Sequence, residues 1–184
     1  MSALPKLMTV EEFLDWEERQ ELRHEFDGAA VHAMTGGTAA PAAIQVNLLA
    51  VLRNRLKGKP CRAFGSELKL KLTSSVRYPG AFVICTPVAP TATYVTDPVV
   101  IFEVLSESTA WRDLGVKNME YQATPSARRY VALHQAAVAA EVFHRADDGE
   151  WKHQFIAGDG VLAMPEIDVS FALSEIYEDV VLPS

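Results

Sequence analysis

Apolar positions change their period along this chain, and the period locates the elements. Thr9-Val10-Glu11-Glu12 places a hydroxyl at the N-cap position and a glutamate three residues later, the capping-box pattern. It opens a helix carrying Phe13, Leu14, Trp16 and Leu22. Phe26-Asp27-Gly28-Ala29 marks a hairpin turn. The Thr35-Gly36-Gly37-Thr38 loop leads into a second helix with Pro41 in its first turn. Ile44, Leu48, Leu49, Leu52 and Leu56 recur on one side of it, and Gly58 stops it. The period then drops to two. Leu68, Leu70 and Leu72 alternate with Glu67, Lys69 and Lys71, as in a half-buried strand with one polar face. Residues 81–85 and 99–105 are nearly continuous apolar runs, as in strands covered on both faces. A third helix spans about residues 109–123 and ends before Pro125. Residues 129–133 form another apolar strand, and 139–145 with 151–156 form an antiparallel hairpin about Asp147-Asp148-Gly149. A short segment, Leu173–Tyr177, closes the chain. The order helix, three strands, helix, strand predicts an α/β (α+β) fold: a mixed central sheet flanked by helices, with additional antiparallel strands.

Composition narrows the class. The chain has 184 residues, 49% apolar and 22% charged, so it can bury a core without staples and is not disordered. No apolar run approaches the roughly 18–20 residues of a membrane span. The N-terminal residues lack the layout of a signal peptide, and the expectation is a cytoplasmic protein. Cys61 and Cys85 fit no zinc spacing and read as buried, inert thiols. The net charge of -7 argues against a nucleic-acid partner until its distribution is considered. Between Gly28 and Thr96, Glu67 is the only acid against Arg53, Arg55, Lys57, Lys59, Arg62, Lys69, Lys71 and Arg77. That segment is either a solvated helix end and strand face or a surface for phosphate.

Glu103 is the most informative residue, because it interrupts a run built for burial. A carboxylate there needs a partner: an Arg or Lys at the open end of the strand, or a cation such as Mg²⁺. Asp113, Lys117 and Tyr121 stand at i, i+4 and i+8 and share one helix face. Asp113 and Lys117 form a surface salt bridge, or Lys117 turns over the sheet to orient water or neutralise phosphate charge. Glu25 either begins the hairpin or supplies a second carboxylate. Other chemistries fit poorly. The five histidines are scattered without metal-binding spacing, the Gly-Gly-Thr loop lacks a phosphate-loop lysine, and Ser106 and Ser108 suit helix capping better than nucleophilic attack.

The ordered set of segments around Met8–Gly28, Ala33–Thr38, Gly65–Leu72, Arg77–Cys85, Asp97–Thr109, Arg112–Tyr121 and Tyr130–Gln135 resembles the Uma2 family of restriction-endonuclease-like bacterial proteins. The resemblance covers residues 8–177 as one domain. It implies the PD-(D/E)xK nuclease fold and Mg²⁺-dependent DNA phosphodiester hydrolysis, with Mn²⁺ as a substitute metal. On that resemblance Glu103 is the metal-ligating glutamate of the third core strand, Glu25 an assisting carboxylate, and Lys117 the lysine that orients water. The usual lysine two residues after the glutamate is Leu105, and a histidine expected after the Gly-Gly-Thr loop is replaced near Pro41. The metal-ligating aspartate falls on Gly80, in Tyr78-Pro79-Gly80. Ignoring the resemblance, Pro79-Gly80 is a turn. Within it, glycine offers no side-chain oxygen, and Glu67 is the candidate substitute ligand. The expectation is an endonuclease with an impaired site. The alternative is a non-catalytic module binding nucleic acid or protein, open to homodimer formation, with Arg53, Arg55, Lys57, Lys59 and Arg62 as its contact surface.

Overall fold

The computed structural model describes residues 8–34, 36–106 and 110–183, and within them the capping box is formed. The Glu12 amide donates to Thr9 Oγ1 at 3.1 Å, and the Thr9 amide donates to Glu12 Oε2 at 2.8 Å. Helix α1 (Val10–Glu17) buries Phe13 and Leu14 but stops before Leu22, which is exposed. Strands β1 (His24–Phe26) and β2 (Val31–Ala33) pair antiparallel. Their turn needs Gly28: φ is 87°, and a Cβ there would lie 2.8 Å from the Ser74 carbonyl oxygen.

Helix α2 (Ala39–Arg55) lays Ile44, Leu48 and Leu52 on the core sheet. Next come β3 (Arg62–Gly65), β4 (Lys69–Lys71), β5 (Val76–Arg77), β6 (Ala81–Ile84), β7 (Tyr94–Val95) and β8 (Val100–Leu105). Helix α3 (Ala110–Arg112), a π turn (Asp113–Lys117) and α4 (Asn118–Ala123) run on without a break. Strands β9 (Arg129–His134), β10 (Ala139–Arg145), β11 (Trp151–Ala157), β12 (Val161–Met164) and β13 (Val169–Ala172) follow, with a closing 3₁₀ turn over Leu173–Tyr177. Ser108 and the expected first residue of the third helix lie outside the described residues.

The core sheet has the order β11-β10-β9-β8-β6-β3, with β8 and β9 parallel and its other pairs antiparallel. Val100 and Phe102 of β8 face the core under α2. Ile101 and Leu105 face a second core with Phe82, Tyr121 and Tyr130. Cover on both sides accounts for the unbroken apolar runs.

The structure corrects two expectations. The first core strand is β3, not the alternating segment 67–72, whose β4 lies in a second sheet ordered β2-β1-β5-β4-β7. The polar face of that segment is not simply solvated: Lys69 is 5% exposed, and its Nζ is 2.6 Å from Glu17 Oε2 on α1. Alternation revealed a strand with two unlike faces but not what would cover the polar one. The second correction concerns the cysteines. Cys61 and Cys85 are disulfide-bonded rather than inert thiols, because the register that opposes Arg62 to Ile84 brings them together across β3 and β6. Among the described residues no helix is long and apolar enough to cross a membrane.

Candidate active site

Glu103 points from β8 into a space closed by three other elements. Register sets Phe102 opposite Ala81, so Glu103 falls beside Gly80 at the entrance to β6, and the Gly80 amide donates to Glu103 Oε2 at 3.2 Å. The Pro79-Gly80 turn is held from α2, where Gln45 Nε2 donates to the Gly80 carbonyl at 2.8 Å. From the helical segment Tyr121 donates its hydroxyl to Glu103 Oε1 at 3.0 Å, and Lys117 donates to the same oxygen at 2.9 Å. The second sheet contributes Glu25 from β1. The Phe26–Val76 pairing puts it next to Arg77 and Tyr78, whose amide donates to Glu25 Oε1 at 3.0 Å.

Lys117 is the meeting point. Its Nζ lies 2.9 Å from Glu103 Oε1, 3.2 Å from Glu25 Oε1 and 3.3 Å from Asp113 Oδ1. All four residues are buried. The Asp113–Lys117 pair is thus no surface salt bridge. Asp113 Oδ1 is a buried atom without a hydrogen-bond partner, held to Lys117 by charge alone. Arg77, fully buried, reaches Glu25 at 3.3 Å and holds Glu120 in a two-point contact at 2.7 Å each. Four carboxylates therefore share two cations inside the fold.

The environment drives two of those carboxyls apart. Burial pushes Glu103 up to about 7; Lys117 opposes this, while the charges of Asp113 and Glu25 add to it. Burial also raises Glu25, but Lys117 and then Arg77 outweigh it and hold that carboxyl below its ordinary range. Burial tends to lower Lys117, yet the three carboxylates keep it charged. Glu103, Glu25, Asp113, Lys117 and Gly80 line a cleft of about 1080 Å³, whose remaining lining includes Arg23, His32, Gln45 and Arg112. Arg112 lies 5.3 Å over the exposed Trp111 ring.

The hard carboxylate oxygens suit Mg²⁺ chemically, but their arrangement does not fit it: the point they surround is filled by the Lys117 ammonium. Among the described residues no group of three or more His, Cys, Asp or Glu side chains is set to hold a metal ion. Glu67 does not join the cluster. Its side chain is 80% exposed and pairs with Arg23.

The sequence singled out Glu103 by its place in an apolar run, Lys117 by its helix face and Glu25 through the family resemblance, and the fold brings the three together. The sequence did not mark Arg77 and Glu120 as their partners. Arg77 stood in a stretch read only as basic surface, and Glu120 carries no local signal. That basic surface is largely consumed within the molecule. Arg55 pairs with Glu175, Lys59 with Asp168, Lys69 with Glu17 and Lys71 with Glu11. Arg53, Lys57 and Arg62 remain exposed, near the end of α2 remote from its cleft-lining residues Pro41, Ala42 and Gln45. The contact surface read from sequence is thus thinner than its charge count and apart from the cleft.

The fold and the sequence both have relatives. A solved structure described as a putative nuclease belonging to DUF820, from Anabaena variabilis, superposes with a TM-score of 0.78 over 95% of this chain and 99% of its own, at 16% identity. It shares the fold. Two uncharacterized Synechocystis proteins match nearly end to end. One, slr1290, is 34% identical over 94% of this chain and 92% of its own length. The other, sll1609, is 27% identical over 92% and 96%. The family model for Uma2, described as "Putative restriction endonuclease", matches residues 10–174. With that match spanning all thirteen strands and every residue of the buried cluster, this chain belongs to the Uma2 family.

Proposed function

We propose that this chain is a DNA-directed endonuclease of the Uma2 type whose hydrolytic site is impaired at Gly80. The observation that carries the reading is the contact between the Gly80 amide and Glu103 Oε2, at the position where the family resemblance calls for a ligating aspartate. A divalent cation would supply water activation and charge stabilisation at phosphorus, and it is this group that the cluster with Gly80 does not fit. The chain's own residues would do the rest. Lys117 would set the attacking water and take up developing negative charge, Glu103 and Glu25 would hold Lys117 in place, and Tyr121 would fix the Glu103 carboxylate. Arg112, and Arg23 if its pair with Glu67 opens, would contact phosphate from the cleft lining.

The test is plasmid nicking with Mg²⁺ and with Mn²⁺ by wild type, Gly80→Asp and Glu103→Ala. A Cβ at residue 80 would meet its nearest atom, the Phe102 carbonyl oxygen, at 3.4 Å, an ordinary contact, so aspartate can be accepted. Gly80→Asp is expected to raise nicking by about 10- to 100-fold. Robust wild-type nicking that disappears in Glu103→Ala would overturn the impairment.

A second reading keeps the fold and drops the chemistry: a module that binds nucleic acid through Arg53, Lys57 and Arg62. It is supported by the exposure of these three side chains without ion pairs among the described residues. Retention of DNA by all three nicking proteins, with cleavage by none, would favour it.

A further inference from the structure

The buried cluster has more negative than positive charge, yet its centre is not open. An ammonium has three hydrogens to offer. Lys117 faces three carboxylates from three different elements, Glu25 on β1, Glu103 on β8 and Asp113 at the start of the π turn, at 3.2, 2.9 and 3.3 Å. A divalent ion taking the same oxygens would have to sit within about 2.0–2.6 Å of them, and so on top of Nζ. Two cations that close, with no fourth carboxylate at residue 80, repel each other more than the cage can offset. The orphaned Asp113 Oδ1 points the same way: it is a donor atom turned toward the cage centre and answered only by the lysine charge.

We infer that the Lys117 ammonium is the resident cation of this carboxylate cage, and that, with glycine at 80, a divalent ion enters only when Lys117 is removed. The inference rests on the reading of the cluster as the family's cation position. It turns a residue expected to assist a metal into one that stands in its place. Glycine at 80 is the complementary change. Without that side chain the cage has only enough nearby oxygen for one central cation, and the lysine supplies it covalently.

The experiment follows thermal unfolding during titration with MnCl₂, without nucleic acid, for wild type and Lys117→Met. Methionine keeps the apolar stem and removes the charge. Wild type is expected to be indifferent to millimolar Mn²⁺ and to EDTA. Lys117→Met is expected to be strongly destabilised alone, and to gain about 5–10 °C in midpoint at a Mn²⁺ concentration a hundred times its Kd. A saturable shift of that size in the wild type overturns the inference. So does a folded Lys117→Met protein that ignores Mn²⁺. Should that variant not fold, Lys117→Met with Glu103→Gln removes one carboxylate along with the ammonium. A smaller saturable Mn²⁺ shift in the double variant supports the cage, and no shift refutes it. These outcomes concern the cation alone. The DNA reading stands or falls separately, on plasmid nicking by Gly80→Asp.

Discussion

At the scale of single residues, buried charge dominates this molecule. Arg77 is fully buried and holds both Glu25 and Glu120. Replacing it with methionine strips Glu120 of its cation and leaves Glu25 with Lys117 alone, and breaking a buried pair in this way costs about 3–5 kcal/mol. Urea unfolding of Arg77→Met should show that loss; a change under about 1 kcal/mol would mean that water already reaches the pair. Asp27 offers a milder case with a pH signature. Burial works against its ionisation, but His32 and the Ala30 and Ala29 amides outweigh it and hold the carboxyl at about 2, below its ordinary 3.8. A depressed carboxyl contributes stability above its unfolded value and loses it as pH falls through the folded one. Asp27→Asn should therefore cost about 1 kcal/mol at neutral pH, with the gap to wild type closing between pH 3.8 and about 2. Thermal midpoints measured across that range check the sign.

At the scale of elements, the pairing of β6 with β8 carries the candidate site, because Gly80 enters β6 opposite Glu103, and β6 is braced on its other edge by its pairing with β3. The Cys61–Cys85 disulfide ties that pairing at one end and closes a sequence separation of 24 residues. A loop of that size removes enough unfolded-chain entropy to be worth about 3 kcal/mol. Reduction, or Cys61→Ser with Cys85→Ser, should lower the unfolding free energy by that amount and leave the β8–β9 pairing intact. Amide exchange that quickens in β9 as much as in β3 would contradict this separation. The π turn is the other decisive element. It sets Asp113 and Lys117 on the same inward side, and Tyr121 of α4 follows them onto Glu103.

At the scale of the whole molecule, charge is spent mostly on holding distant elements together. The ion pairs from β4 to α1 and from β5 to α4 tie the second sheet to helices, the one from β5 to β1 lies within that sheet, and those from α2 and the turn after it reach the C-terminal segment. Little basic surface is left for phosphate. If nucleic acid binds through Arg53, Lys57 and Arg62, the logarithmic salt slope should be only about -3, three contacts at roughly -0.9 each. Fluorescence anisotropy with a DNA duplex between low and moderate salt measures it, and the triple alanine variant should flatten it. A slope of about -7, one contact at roughly -0.9 for each basic residue of the segment, would mean that the internal ion pairs open on binding.

The sequence by itself determined what depends on near neighbours. The capping box before α1, the apolar stripe of α2, the doubly covered runs of β6 and β8 and the hairpin of β10 and β11 are set by residues a few positions apart, and each left a readable period. Glu103 was legible because a charge inside an apolar run must have a reason, and Lys117 because it shares a helix face with Asp113 and Tyr121. Tertiary structure alone decided the partners. That β3 rather than β4 enters the core sheet, that Cys61 meets Cys85, that Arg77 is buried instead of solvated and that Lys117 occupies the centre of three carboxylates all depend on contacts between residues far apart in the chain. The physical reason is one of range. Period and capping energies act within a turn or a strand, whereas a buried charge takes its meaning from whichever opposite charge the closed fold brings within about 3 Å.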